Sequence, residues 1–289
     1  MSDAILPFTG ERFTPECVRE IAYEHWHRYA FARTLARGRR VLDAACGEGF
    51  GSALLAGTAV SVLGVDIDTV TVAHARARYG AADNLRFDVA DATMLDALPS
   101  ASFDLIVSFE TLEHVQAQEQ LLDGFARLLA PGGLLLVSTP DKRQYTDATG
   151  VTNPHHVREL YREEFEALLA PRFSARRLFG QKLAFVSLLR SLDGAGQGVH
   201  ESLHDGDAMR ETLDLAPMYF LAACAHEAAV LDRLPGLALY VDADESVYAD
   251  YNQNVRSNQA AARHIAWLEQ EVERLRAQVA AASPESPGP

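Results

Sequence analysis

The sequence predicts an α/β protein built on a doubly wound, mostly parallel sheet, and three observations predict it. From residue 41 onward, short apolar runs alternate with segments of helical periodicity, the pattern of strands joined by helical crossovers. The first run, "RVLDAA", is followed at once by "CGEGFGS" and "ALLA", a glycine turn that opens a helix. Three successive runs carry an acid at or near their carboxyl ends: Asp43, Asp66 and Asp91.

Taken in order, residues 1–40 begin polar and aromatic-rich, and "ECVREIAYEHWHRYAFARTLARG" reads as one or two helices ended by Gly38, an N-terminal cap. A domain over 41–250 follows. Its first strand and glycine turn lead to "VSVLGVDI" as a second strand and "TVTVAHARARYG" as a helix. "NLRFDVAD" and "FDLIVSF" read as strands, "EQLLDGFARLLA" as a helix stopped by "PGG", and "LLLVSTP" as a fifth strand. "REEFEALLA" is a further helix, and "FSARRLFGQKLAFVSLL" and "APMYFLAACAHE" are two late strands. Between these two, the Gly- and Asp-rich stretch near 191–215 is expected to be a mobile loop insertion. Residues 251–282 form a last helix. Ile265, Leu268, Val272, Leu275 and Val279 recur there at alternating spacings of three and four, with Glu and Arg between them, a short heptad seam. Such a seam holds a second copy or a partner, or packs on the chain's own domain. The tail 283–289, "SPESPGP", is expected to be disordered.

Composition narrows the function. The chain has 289 residues, 48% hydrophobic and 23% charged, ordinary for a globular protein. Its formal net charge of −14 repels a nucleic acid backbone, and the cluster Arg172, Arg176 and Arg177 is too short to reverse that. No apolar run reaches the roughly 18 residues of a membrane span. The first residues lack the basic and apolar regions of a signal peptide. Cys17, Cys46 and Cys224 are odd in number and without a CxxC pair, which fits reduced thiols and a cytoplasmic location.

The glycine turn raises the question of its ligand. A dinucleotide fingerprint needs a third glycine where Ser52 stands, after Gly47 and Gly49. Asp43 beside the turn would also repel a pyrophosphate. S-adenosylmethionine carries an ammonium and a sulfonium and no phosphate, so a carboxylate suits it. Asp66 is placed to accept from ribose hydroxyls and Asp91 from an adenine amino group. An NAD-dependent oxidoreductase is the weaker alternative.

At this point the chain resembles the class I S-adenosylmethionine-dependent methyltransferases, of type 11 and similar to the ubiquinone-biosynthesis O-methyltransferases. "VLDAACGEG", "GVDID", "DVADATML", "FDLIVSFETLEHV" and "LAPGGLLLVSTP" resemble five successive motifs of that family over about residues 40–190. The resemblance implies a seven-stranded Rossmann-like sheet whose late strands form a hairpin. It also implies cofactor contacts at Ala45, Gly47, Asp66, Ile67, Asp91, Ala92 and Phe109. The flanks "GERFTPE", "YEHWHRYAFA" and "NPHHVREL" resemble bacterial members associated with glycan assembly.

"FETLEHV" resembles an array that binds a divalent cation in the ubiquinone-biosynthesis and small-RNA 3′-end methyltransferases. Glu110, Glu113 and His114 would then hold Mg²⁺ or Zn²⁺ on one helical face. The competing reading, preferred here, is that "LEHV" also occurs in metal-independent relatives. Catalysis then falls to a histidine base, His156 first, then His114 and His155, since free imidazole titrates near neutrality. The two loop histidines would otherwise serve as solvated polarity or helix caps. Arg28 is placed to meet the cofactor's carboxylate, although Tyr23, Trp26 and Ala30 at helical spacing read as core packing. The expected activity is methyl transfer to a small-molecule or glycan-linked acceptor, at oxygen. N-methylation of an amine and a non-catalytic cofactor-binding scaffold are the alternatives.

Overall fold

The computed structural model describes residues 13–15, 17, 20–194, 198–204, 206 and 208–282, so the tail 283–289 lies outside the described residues. Helix α1 (Glu20–Leu35) precedes β1 (Arg40–Ala44), α2 (Phe50–Ala56), β2 (Ser61–Asp66), α3 (Thr69–Tyr79) and β3 (Leu85–Val89). Then come β4 (Phe103–Ser108), a 3₁₀ turn at Leu112–His114, α4 (Gln118–Leu128), β5 (Leu129–Pro140) and α5 (Arg162–Leu169). The body ends with β6 (Ala175–Gln181), the short strands β7 (Leu203–His204) and β8 (Met209–Arg210), and β9 (Tyr219–Ala225).

The seven-stranded sheet runs β3-β2-β1-β4-β5-β9-β6. The first five strands are parallel, and β9 pairs antiparallel with both β5 and β6, so the late strands form the expected hairpin. The strand order reverses between β1 and β4, which opens a crevice at their carboxyl ends.

Side-chain alternation divides the core between the two faces of the sheet. Val41, Leu105, Val107, Leu134 and Leu136 point to one face, with Phe31, Ala32, Leu55 and Val72 of α1–α3. Their neighbours Leu42, Ile106, Leu135 and Val137 point to the other, with Leu121, Leu122, Phe125, Phe165 and Leu169 of α4 and α5. Strands buried on both faces read as continuous apolar runs, and for this reason β1, β4 and β5 were legible.

The structure refines four expectations. The N-terminal cap holds one helix among the described residues, and it buries Glu24 and Arg28 while Tyr23, Trp26 and Ala30 are only half-buried. The strand expected over 173–189 ends at Gln181, because from Lys182 no neighbouring strand pairs with the chain. The Gly- and Asp-rich insertion contains the β7–β8 pairing. The last helix, α6, spans Ser246–Ala282 and starts five residues earlier than expected; it belongs to a separate compact unit, residues 241–289. Among the described residues no helix is long and apolar enough to cross a membrane.

Candidate active site

The glycine turn after β1 is held by β2 and α3. The Gly47 N–H donates to Asp66 Oδ2 at 2.9 Å, and the Cys46 N–H donates to the Val65 carbonyl at 2.9 Å, so the turn is pinned to β2. Glu48 points away from the crevice and is 1% exposed. It accepts from Arg78 at 2.8 Å and from the Tyr79 hydroxyl at 3.1 Å, which ties the turn to α3. Ala45, Gly47 and Gly49 have φ of 61°, 54° and 96°, so the chain crosses the left-handed region three times in five residues. Only Gly47 and Gly49 do so without a steric cost. Gly49 also has a packing reason, since a Cβ there would sit 2.8 Å from Ala75 Cβ and 2.9 Å from the Phe87 ring.

Asp43 is not presented to a ligand, which corrects the expectation for it. It is 1% exposed and accepts from Ser52 Oγ at 2.6 Å and Tyr29 Oη at 3.0 Å. Burial drives its carboxyl up to about 6, against those two hydrogen bonds. Gly51 exists for the same contact: a Cβ there would lie 2.1 Å from Tyr29 Cζ.

The other acids face the crevice. Asp66 is half-buried and also accepts from the Asp68 N–H at 3.0 Å. Asp91 spends Oδ1 on the Thr93 N–H at 2.8 Å and the Thr93 hydroxyl at 2.7 Å. Ile67 is 68% exposed and Met94 64%, two large apolar side chains left in solvent beside these acids. Ala92 is half-buried, and Phe109 is buried edge-on against Tyr29, 5.1 Å between centroids.

Arg28 is also corrected. It is 2% exposed, donates from Nε to Gln181 Oε1 at 2.7 Å, lies 4.7 Å over the Tyr219 ring, and stands 3.4 Å from Glu110 Oε1. Its neighbour Glu24 is pushed up to about 7 by burial, against the pull of Arg28. Glu110 is thereby drawn out of the expected metal array. Ser138 Oγ donates to Glu110 Oε1 at 2.6 Å and accepts from the Glu110 N–H at 3.1 Å, fixing a non-glycine residue at φ 51°. Such conformations cost on the order of 1–3 kcal/mol and persist where surroundings over-determine them.

Beyond β5, residues 141–160 fold back over the strand ends. Asp141 bridges to Leu160, and the N–H groups of Val157 and Arg158 both donate to the Glu113 carbonyl, at 2.7 and 3.0 Å. This docking delivers His156 to the turn that carries Glu113 and His114. The His114 and His156 rings stand 4.9 Å apart, Tyr145 lies 5.2 Å from His156, and Tyr219 lies 6.0 Å from Tyr145. His156 Nδ1 is 2.6 Å from Glu159 Oε1, both side chains 7% exposed. His114 Nδ1 is 3.0 Å from the His155 carbonyl, which accepts its N–H. Glu113 is 1% exposed and accepts from Thr139 Oγ1 at 3.0 Å; burial and Glu110 hold its carboxyl well above the usual carboxylate range.

The structure therefore unites Glu113, His114 and His156, whose ligand-capable atoms lie within 4.8 Å of one another. It leaves out Glu110 and the exposed His155, whose N–H donates to Asn153 Oδ1. Sequence reasoning missed Glu159, Ser138 and Gln181. For Glu159 the signal was the spacing of three from His156; for the other two there was none.

Residues 42–137, from β1 into β5, match the family described as a methyltransferase domain. Over 167 residues the chain is 41% identical to a probable S-adenosylmethionine-dependent methyltransferase of Mycolicibacterium smegmatis, covering 57% of this chain and 63% of that one. It is 30% identical over 127 residues to a ubiquinone biosynthesis O-methyltransferase of Psychrobacter arcticus, covering 43% of this chain and 49% of that one. The chain thus spans less than two thirds of the length of these relatives. Among solved structures, the YcgJ protein of Bacillus subtilis shares the fold, with a TM-score of 0.51 at 19% identity, over 71% of this chain and 100% of that one.

Proposed function

We propose that the chain, whose residues 42–137 match a methyltransferase domain, is a class I methyltransferase that moves a methyl group from S-adenosylmethionine to an acceptor hydroxyl. His156 is the base and Glu159 its positioning partner. The observation that carries this reading is the buried 2.6 Å contact between them, on the segment docked against Glu113 and His114 after β4.

Ala45 and Gly47 of the turn would hold the methionine part of the cofactor, Asp66 would accept from its ribose hydroxyls, and Ile67, Asp91 and Ala92 would flank its adenine, with Phe109 on the β4 side. The acceptor enters from the β4–β5 side, against Tyr145, Tyr219 and His114.

Transfer is an in-line displacement. An oxygen lone pair of the acceptor forms the new C–O bond as the C–S bond breaks, and that electron pair stays on sulfur. Glu159 accepts a hydrogen bond from the Nδ1–H of His156, which leaves the lone pair on Nε2, and Nε2 takes the hydroxyl proton. Most of the acceleration comes from holding oxygen, methyl carbon and sulfur close and aligned.

A second reading rests on the convergence of Glu113, His114 and His156. One carboxylate and two imidazoles are a fitting donor set for Zn²⁺ rather than for an oxygen-seeking Mg²⁺, with Glu159 orienting His156 from behind. A cation bound there would lower the acceptor hydroxyl's pKa directly. The base is favoured because Glu110 is committed to Arg28 and Ser138, which leaves a single carboxylate beside the two imidazoles.

The test is S-adenosylmethionine titration, then a transfer screen with methyl-labelled cofactor against phenols, sugars, sugar nucleotides and amines. Label on a hydroxyl acceptor supports the proposal, and label only on amines replaces it with N-methylation. Cofactor binding with silence against every acceptor class leaves a scaffold.

A further inference from the structure

Helix α6 runs for 37 residues and buries none of them. A stripe of large apolar side chains lies exposed along it: Ile265, Leu268, Val272, Leu275 and Val279, each 43–67% accessible. We propose that this stripe is the seam of a parallel, in-register two-stranded coiled coil with a second copy of the chain.

Four features of α6 choose that occupant. With Ile265 set at position a of a heptad, the a positions hold Ile265, Val272 and Val279, and the d positions hold Leu268 and Leu275. β-Branched residues at a with leucine at d favour two parallel strands over three or four. The pattern continues backwards to Ala261 at d and Asn258 at a. A lone asparagine at a fixes register, because it meets its own copy only when the strands are parallel and aligned.

The flanking charges agree. In a parallel pair, position g of one helix meets position e of the next heptad on the other. Glu271 at g therefore faces Arg276 at e twice, once on each side of the two-fold axis, and His264 faces Glu269 in the same way. An antiparallel pair centred between Leu268 and Val272 would instead set Glu269 and Glu271 against their own copies. Within the single helix Arg276 pairs with Glu273 at 2.9 Å, both 72% exposed, and such a surface pair contributes little and exchanges freely.

The experiment is sedimentation equilibrium of the full chain at micromolar concentration, with two charge variants and their mixture. The wild type should sediment at twice the 31.6 kDa chain mass. R276E and E271R should each weaken the dimer about tenfold or more, because each turns two attractions into two repulsions. Mixing the two variants should restore dimers, since Glu meets Arg on both sides of the mixed pair. L268D combined with L275D should give monomer with cofactor affinity unchanged. A monomeric or trimeric wild type overturns the proposal, as does a dimer untouched by L268D with L275D. A dimer weakened by R276E but not by E271R overturns the parallel arrangement.

Discussion

Asp43→Asn probes the most sharply defined electrostatic feature of the glycine turn, a carboxylate sealed in the interior. Its carboxyl stands at about 6 against an ordinary 3.8, and burial is the largest cause. That difference corresponds to about 3 kcal/mol of preference for the protonated form in the folded state. The sign follows by linkage: a raised folded value means that folding takes up a proton. The penalty for ionised Asp43 is absent below the unfolded value of 3.8, grows as pH rises toward 6, and is complete above it. Asparagine keeps the shape and one acceptor oxygen for Ser52, and its amide hydrogens turn toward the Tyr29 hydroxyl oxygen. It cannot ionise. The amide mismatch costs about 1 kcal/mol at every pH. The variant should therefore be slightly less stable than wild type near about pH 4 and more stable by about 2 kcal/mol near about pH 8. Urea unfolding of both proteins across that range measures the difference directly. A stability difference that stays constant with pH, or that moves against the variant as pH rises, would refute the reasoning. Asp43 would then be an ionised group favoured by its hydrogen bonds.

The remaining predictions concern packing, cofactor and base. Gly51→Ala forces a methyl onto the Tyr29 ring and should cost about 1–3 kcal/mol or more in thermal or urea unfolding; a neutral substitution would mean that α1 is free to move off α2. Asp66→Asn keeps an acceptor for the Gly47 N–H but loses charge-assisted bonding to ribose, so S-adenosylmethionine affinity should fall by about 1.5–3 kcal/mol by calorimetry, with the fold intact by circular dichroism. Unchanged affinity would remove Asp66 from the ribose. Glu159→Gln no longer fixes the Nδ1–H tautomer of His156 and should slow transfer by roughly 10–10²-fold with cofactor binding preserved. Full activity in that variant would make the His156–Glu159 contact structural only.

How far the sequence could be read follows from what kind of contact each feature depends on. β1, β4 and β5 are apolar on both faces, Asp66 closes β2 and Asp91 follows the end of β3 by two residues, so periodicity and position revealed them. The late hairpin came from resemblance and agrees with β9 lying between β5 and β6. Asp43 beside the glycine turn and Arg28 in the aromatic segment YEHWHRY read as ligand contacts, yet both are buried by other partners: Tyr29 and Ser52 for the one, Gln181 for the other. Nothing in the residue types at positions 29 and 181 announces that pairing. Helix α1 lies where it was read, with Trp26 packed on the core, but its burial of Glu24 and Arg28 beside Tyr29, Phe31 and Ala32 was not legible. His156 was chosen for its type and for its place after the fifth strand. Its meeting with His114 depends on the 141–160 segment docking on the Glu113 carbonyl, a backbone contact that leaves no mark in the sequence. Glu110 matched a metal array in spacing and was removed from it by Ser138, twenty-eight residues away.

The proposed role of His156, taking the acceptor's proton during methyl transfer, stands or falls with the rate of the chemical step. The most direct measurement is the single-turnover transfer rate of wild type and His156→Gln, each with and without a metal chelator, on the best hydroxyl acceptor from the screen. The expected result is a rate lowered by roughly 10²–10⁴-fold in the variant, cofactor affinity retained, and no response to chelator in either protein. A variant as fast as wild type would contradict the account, and so would a wild-type rate abolished by chelator and restored by Mg²⁺ or Zn²⁺.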